Sequence, residues 1–263
     1  MNTMNNYDYI EGIEFNGLIP AIMEQEGVKT IGNELEVIDF VGTAFGDKED
    51  NENNEGGDDD THEYVDLGLP SGTLWATENI KDENGNDLYF AWGETSGYTS
   101  GQVGTDKYFA WEGEHADYEF GEYVALEPDY GMTKYNSDGI TTLETSDDAA
   151  YANWGSDWRM PTKDEFDELL ENTTSSWTEA NGVSGLLLTS TVEGYEEESL
   201  FFPAVGSAGD GGVYDVGEYG YCWPASLAYE GAYNAYKLYF DSGYCGVNGG
   251  RRCYGYPVRP VRL

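Results

Sequence analysis

Two histidines, three cysteines and 51 carboxylates are the side chains of this 263-residue chain that could do acid–base, nucleophilic or metal chemistry. His62 sits in an acidic run and His115 in Trp111-Glu112-Gly113-Glu114-His115. Lone loop histidines among acids are expected to be solvated. Cys222, Cys245 and Cys253 fall in the last fifth of the chain without CxxC spacing, which argues against a zinc site and a disulfide framework. A Cys245–Cys253 bond stays open if their strands are adjacent. Carboxylate pairs suited to glycoside hydrolysis are so numerous that none is singled out. The chain has no P-loop, no dinucleotide fingerprint and no D-x-[DN]-x-[DN]-G calcium run. Asn136-Ser137-Asp138-Gly139 reads as a turn rather than a cation seat. The residues thus name no catalytic group, no metal ligand and no cofactor, with a calcium requirement left open.

Binding chemistry is better represented. The last 45 residues, Tyr219 to Leu263, hold nine tyrosines, seven glycines, five bases (Lys237, Arg251, Arg252, Arg259, Arg262) and two acids, Glu230 and Asp241. Their balance of +3 stands within a chain of net charge -39. Tyrosine gives large contact area at low entropic cost, and small residues adapt to a partner. Tyr229, Tyr233, Tyr244, Asn248, Arg251, Arg252 and Tyr254 are expected on an exposed recognition face, and Trp223, Leu238, Phe240 and Val258 in the core.

The rest of the composition bounds the classes. So acidic a chain is a poor ligand for nucleic acid, which needs a basic surface. No apolar run is long enough to span a bilayer, and Met1 to Gly12 lacks the features of a signal peptide. Residues 1–45 are moderately apolar: Pro20 suits the first turn of a short helix through Ile22 and Met23. Val28–Ile31 and Leu35–Val41 look like strands. This piece buries little alone, so it either joins its own copies or a larger assembly, or adds a strand layer to the main domain. Residues 46–63 have nine acids, one lysine and no apolar residue, the composition of an extended tether.

Residues 64–263 read as an α+β domain of short strands punctuated by Gly, Asn and Asp. The strand expectations are Tyr64–Leu67, Leu74–Thr77, Leu88–Trp92, Leu186–Thr191, Leu200–Pro203, Tyr236–Phe240 and Pro257–Arg262. Two helices are expected. One runs over residues 147–152 with Ser146 as N-cap. The other follows Pro161, with Thr162 and Glu165 forming a capping box and Phe166, Leu169 and Leu170 facing inward.

Several stretches, in order, carry a resemblance over nearly all of residues 64–263. They are Tyr64 to Thr77 (YVDLGLPSGTLWAT), Tyr89 to Thr95 (YFAWGET), Asp147 to Ala150 (DDAA), Asn153-Trp154-Gly155, Trp158 to Thr162 (WRMPT), Tyr219-Gly220-Tyr221, Trp223, Tyr254-Gly255-Tyr256 and Val258-Arg259-Pro260-Val261. Together they resemble the Fibrobacter succinogenes major paralogous domain family of gut Bacteroidetes and their phages. That family is similar to the formylglycine-generating-enzyme branch of the C-type lectin fold, whose W-R-L-P-T-E-x-E-W phrase Trp158 to Phe166 looks like. The resemblance implies a C-type-lectin-like domain, and a fold is not an activity. The oxidase of that branch holds copper with a cysteine pair, and the cysteines here match no such motif.

Domains of this fold are targets of diversity-generating retroelements, which alter adenines near the 3′ end of a gene. The residues at Cys222, Pro224, Ala225, Cys245, Gly246, Asn248, Gly249, Arg251 and Cys253 are of the types reached from asparagine codons in that way. The resemblance therefore implies a non-enzymatic protein of a phage virion, a fibre or a capsid or tail decoration. It would bind a host-surface glycan or protein through a diversified C-terminal surface. Residues 1–45 would join other virion proteins or form a homo-oligomer such as a trimer. A bacterial cell-surface adhesin is the alternative, and a formylglycine-generating-like oxidase the more distant one.

Overall fold

The computed structural model describes residues 29–31, 34–36, 62–111, 114–121, 131–136, 139–180, 182–229 and 232–263. The chain divides into two units, Met1–Asp59 and Asp60–Leu263. In the first unit, β1 (Lys29–Ile31) and β2 (Glu34–Glu36) pair antiparallel, with Thr30 opposite Leu35. The helix expected at Pro20, residues 37–41 of the second expected strand and the tether up to Thr61 lie outside the described residues. So do Ser137 and Asp138 of the turn at Asn136-Ser137-Asp138-Gly139.

The second unit is sheet-rich α+β: small antiparallel sheets and two α-helices among the described residues. Its first and last strands share a sheet. β3 (Tyr64–Val65) and β13 (Val261–Arg262) flank β4 (Leu74–Ala76), and Trp75 stands opposite both Val65 and Val261. Long meandering strands β5 (Thr173–Ala180), β6 (Val183–Ser190) and β7 (Ser199–Pro203) form a second sheet. β8 (Ser207–Gly209) and β9 (Gly212–Tyr214) form a hairpin. β10 (Gly220–Cys222), β11 (Asn234–Phe240) and β12 (Cys245–Arg251) form a further three-stranded sheet.

The helices show what local chemistry decides. α2 (Lys163–Glu171) begins where expected: the Thr162 hydroxyl accepts from the Glu165 amide, and the Glu165 carboxylate accepts from the Thr162 amide. Phe166 and Leu169 are buried and Leu170 packs at the margin of the same core. α1 corrects the other expectation. Thr145–Asp147 is a 3-10 turn, α1 covers Ala149–Trp154, and its N-cap is Asp148 rather than Ser146. Asp148 accepts from the Tyr151 amide at 3.0 Å and also from the Met160 amide at 2.9 Å, so one carboxylate caps the helix and ties it to the chain ahead of α2. The Ser146 hydroxyl only reaches its neighbour Asp147.

Three apolar clusters make the core. The first gathers Trp75, Phe166, Leu188, Phe202, Leu238 and Phe240; the second Trp92, Tyr135, Met160, Trp223, Tyr256 and Val258; the third Phe109, Tyr118, Phe120 and Cys253 among others. Trp223, Leu238, Phe240 and Val258 are buried as expected. Two tryptophans sew the second cluster to its surroundings, since Trp92 donates to the Pro224 carbonyl and Trp223 to the Phe90 carbonyl, both at 2.8 Å. Leu88–Trp92 is not a regular strand: Tyr89 and Phe90 make isolated bridges to Tyr98 and Tyr256. Of the expected strand over Pro257–Arg262, only Val261 and Arg262 join a sheet.

Candidate functional site

The sheet of β10, β11 and β12 has two unlike faces because side chains alternate along a strand. Cys222, Leu238 and Phe240 point into the first core cluster, with Cys245 and Val247 packed at its margin and α2 against the same side. The opposite face carries Tyr221, Tyr239 and Gly246 in one cross-strand row and Lys237 and Asn248 in the next, while in the third row, Ala235 and Gly250, Ala235 is buried in the second core cluster. Gly220 is required by the inward face, since a Cβ there would overlap the Phe240 ring.

The outward face is paved with tyrosines. Tyr221 is half-buried, stacking on the core residue Tyr256 with centroids 4.6 Å apart, and meets Tyr239 at 5.5 Å. Tyr239 in turn meets Tyr219 at 5.9 Å and Tyr244 at 5.8 Å. Tyr254 extends the row beside Tyr256 at 6.5 Å. Two glycines give this row its depth. A Cβ at Gly246 would strike the Tyr244 hydroxyl, and one at Gly250 would sit 2.8 Å from the Lys237 stem. The Lys237 side chain therefore lies flat over β12, its ammonium 5.3 Å from the Tyr239 ring centre and 5.6 Å from that of Tyr221. It donates to the Asn248 side-chain oxygen. Desolvation brings its pKa down to about 8.

The expected recognition residues divide. Tyr244 (53% exposed), Asn248 and Tyr254 belong to this face. Tyr229 is the most exposed aromatic among the described residues at 85%, yet it leans on Tyr236, over which the Lys163 ammonium sits, away from the tyrosine row. Arg251 is exposed on β12. Tyr233 is half-buried with its ring edge to Trp111. Arg252 is a correction: it is fully buried. Its guanidinium donates to the carbonyls of Tyr135, Ala232 and Lys134 and to the Tyr118 hydroxyl, and it lies 4.7 Å from the Trp92 ring centre. β12 ends at Arg251, and the next residue turns inward to gather those loops.

Several positions assigned to a diversified surface are corrected too. Cys222 and Cys253 are 1% exposed, and Pro224 and Ala225 are buried. Cys222 shares the inward register of Leu238 and accepts from the Arg259 amide. Cys245, Gly246, Asn248, Gly249 and Arg251 lie along accessible β12. All three cysteines are free, so no Cys245–Cys253 bond forms. Cys222 and Cys253 sit in different core clusters, and burial pushes each thiol up to about 12. The histidines are not simply solvated either: His62 stacks on Trp154 at 3.7 Å and His115 on Tyr108 at 4.0 Å.

Sequence reasoning missed Tyr219, Tyr221, Lys237 and Tyr239 as members of the face. The signal was present as period two: Tyr219, Tyr221 and then Lys237, Tyr239 alternate with Gly220, Cys222 and Leu238, Phe240. A separate cleft of about 600 Å³ lies near the chain's end, lined by Tyr151, Trp158, Arg159, Met160 and Arg262 among others. Its charges are matched within the protein, Arg159 by Glu165 and Arg262 by Asp157 at 4.0 Å. The tyrosine row is therefore the stronger site. Among the described residues no histidine, cysteine and carboxylate group has metal-site geometry, and no helix is long and apolar enough to cross a membrane.

What fold and site define together is a sheet-rich α+β domain presenting an aromatic face with a single desolvated amine. Compared with known proteins, the chain matches no family model, no curated protein and no solved structure.

Proposed function

We propose that residues 64–263 form a C-type-lectin-like, non-enzymatic binding domain that takes its ligand on the outward face of β10, β11 and β12. The observation that carries this is the row Tyr244, Tyr239 and Tyr221 beside Lys237, backed from the core by the buried ring of Tyr256. Aromatic rings with hydroxyl tips and glycines beneath them are what sugar- and protein-binding surfaces use. Small antiparallel sheets with two helices agree with the C-type-lectin resemblance. The sealed thiols weigh against the copper-oxidase reading, which needs accessible thiolates.

In this reading the domain is displayed on a phage virion to meet a host-surface glycan or protein, with residues 1–45 joining other virion proteins or further copies of the chain. A bacterial cell-surface adhesin would use the same face. Glycan-array binding of the full chain, repeated with Tyr244→Ala and Tyr229→Ala, tests the site. Loss of binding with the first variant and retention with the second is expected. The reverse would move the site to the Tyr229–Tyr236 side. Capsid and tail genes beside the coding sequence support the virion setting, and surface-lipoprotein genes the adhesin.

A further inference from the structure

Lys237 stands apart from the other lysines whose side chains are described. Lys81 meets Glu78, Lys107 meets Glu94 and Asp117, Lys134 meets Glu144 and Asp147, and Lys163 meets Asp167. Lys237 meets no carboxylate among the described residues, and the Asn248 oxygen is its one hydrogen-bond acceptor there. In a chain with 51 acids against 12 bases, a desolvated ammonium without a counter-ion is the informative exception. Asp241, the acid at the end of β11, is engaged by the Tyr239 hydroxyl at 2.8 Å and the Gly243 amide at 2.7 Å.

The surroundings say what shape of anion fits. The ammonium lies over a glycine-floored strand, 5.6 Å and 5.3 Å from the Tyr221 and Tyr239 ring centres, and Tyr244, exposed, packs against Tyr239. A pyranose offers a flat C–H face to a ring and hydroxyls to phenol tips, and a ring carboxylate projects at the edge of that face. A flexible acidic peptide side chain would reach the ammonium but leave the rings without a flat partner. Resting on the binding-face reading above, we propose that this face recognises a carboxylate-bearing saccharide, with Lys237 as counter-ion and Tyr239 and Tyr244 as the stacking platform.

Lys237 is half-buried and already held by Asn248, so little ordering remains when the anion arrives. A charge-assisted bond in a partly dry site is stronger than a neutral one. The neighbouring ionisable groups include the phenols of Tyr219, Tyr221, Tyr239, Tyr244, Tyr254 and Tyr256, and the carboxylates of Asp241 and of Asp215, which acts on Tyr221. Burial pushes the Tyr221, Tyr239 and Tyr256 phenols up, and Asp241 is held below the usual carboxylate range by the Gly243 amide and the Tyr239 hydroxyl. The ammonium near 8 is then the group whose charge is lost on a modest rise in pH.

The test is calorimetric titration of the full chain with galacturonate, glucuronate and sialic-acid oligosaccharides, each beside its carboxyl-reduced counterpart. At least one acid form is expected to bind about tenfold or more tightly than its reduced form. Lys237→Met is expected to erase that difference, and Lys237→Arg to retain part of it. Near-UV circular dichroism checks that the variants keep their packing. The native protein gives a measure that needs no variant: affinity for the acid form falls as pH rises through about 8, while affinity for the reduced form stays level. Equal binding of acid and reduced forms, still lost in Tyr244→Ala, overturns this inference and leaves the binding face standing. Binding of hexaglutamate with no saccharide bound overturns it in favour of an acidic peptide. No binding of any saccharide or peptide overturns the inference and, with a blank glycan array, the binding face as well.

Discussion

Arg252→Met separates a structural cation from a recognition cation. In the native domain the guanidinium makes four hydrogen bonds, three to backbone carbonyls and one to the Tyr118 hydroxyl. Methionine fills much of the volume but donates nothing, so the Lys134, Tyr135 and Ala232 carbonyls lose their donor. Each buried acceptor so orphaned costs about 1–3 kcal/mol. Relief of the desolvated charge offsets part of the sum, since no carboxylate neutralises the guanidinium among the described residues and burial already lowers its pKa. A net loss of about 3–5 kcal/mol follows, which for a domain of this size lowers Tm by roughly 6–20 °C. Urea unfolding followed by tryptophan fluorescence and by near-UV circular dichroism measures it. A variant within about 1 kcal/mol of native stability would refute the reasoning, since the carbonyls would then need no guanidinium. A variant that kept its stability and lost ligand binding would return Arg252 to the recognition face.

Gly220→Ala is expected to destabilise by about 1–3 kcal/mol, because its methyl would overlap the Phe240 ring; an unchanged urea midpoint would count against the register. Glu165 would be pushed up by burial, but the Arg159 guanidinium and the Thr162 amide outweigh this and hold it at about 2. Its stabilisation is therefore complete above about 4.5 and lost as pH falls toward 2, and acid titration of Glu165→Gln should show a flatter stability curve over that window than the native chain. Thiol labelling of the native chain should modify Cys245 quickly and Cys222 and Cys253 only in denaturant, because the latter two are 1% exposed; three fast thiols would contradict their burial.

What was legible in the sequence was whatever local chemistry decides. The Thr162–Glu165 capping box needs only its own four residues, and α2 starts where they say. Apolar strands such as β6 and β7 announce themselves through Leu186, Leu188, Leu200 and Phe202. β5 (TTSSWTEA) and β12 (CGVNGGR) do not, because neither is apolar enough to read as a strand; β5 is held by β6 and β12 by β11. The same limit applies to the site. Tyr244 and Asn248 were visible as residue types suited to binding, but their company with Lys237 depends on the β11–β12 register. Arg251 and Arg252 are identical in type and adjacent in sequence, and only the turn after β12 sends one outward and the other into the core.

The contrast among three desolvated cations carries the functional argument furthest. Arg252 and Arg259 are both fully buried and neither meets a carboxylate among the described residues. Both are nonetheless satisfied, Arg259 by the Asn79 side chain and the carbonyls of Ala76, Thr77 and Phe201. A guanidinium fork directed at carbonyls from distant segments ties loops together, and the pairing leaves nothing for a ligand to complete. Lys237 has the same lack of a counter-ion but one acceptor instead of four, and it lies on an accessible face rather than in a core. An ammonium has three protons to donate, so Lys237 keeps donors that a ligand acceptor could take in place of solvent. The number of acceptors around each cation, rather than burial or charge alone, is what distinguishes the residues that hold the fold from the one proposed to meet a ligand.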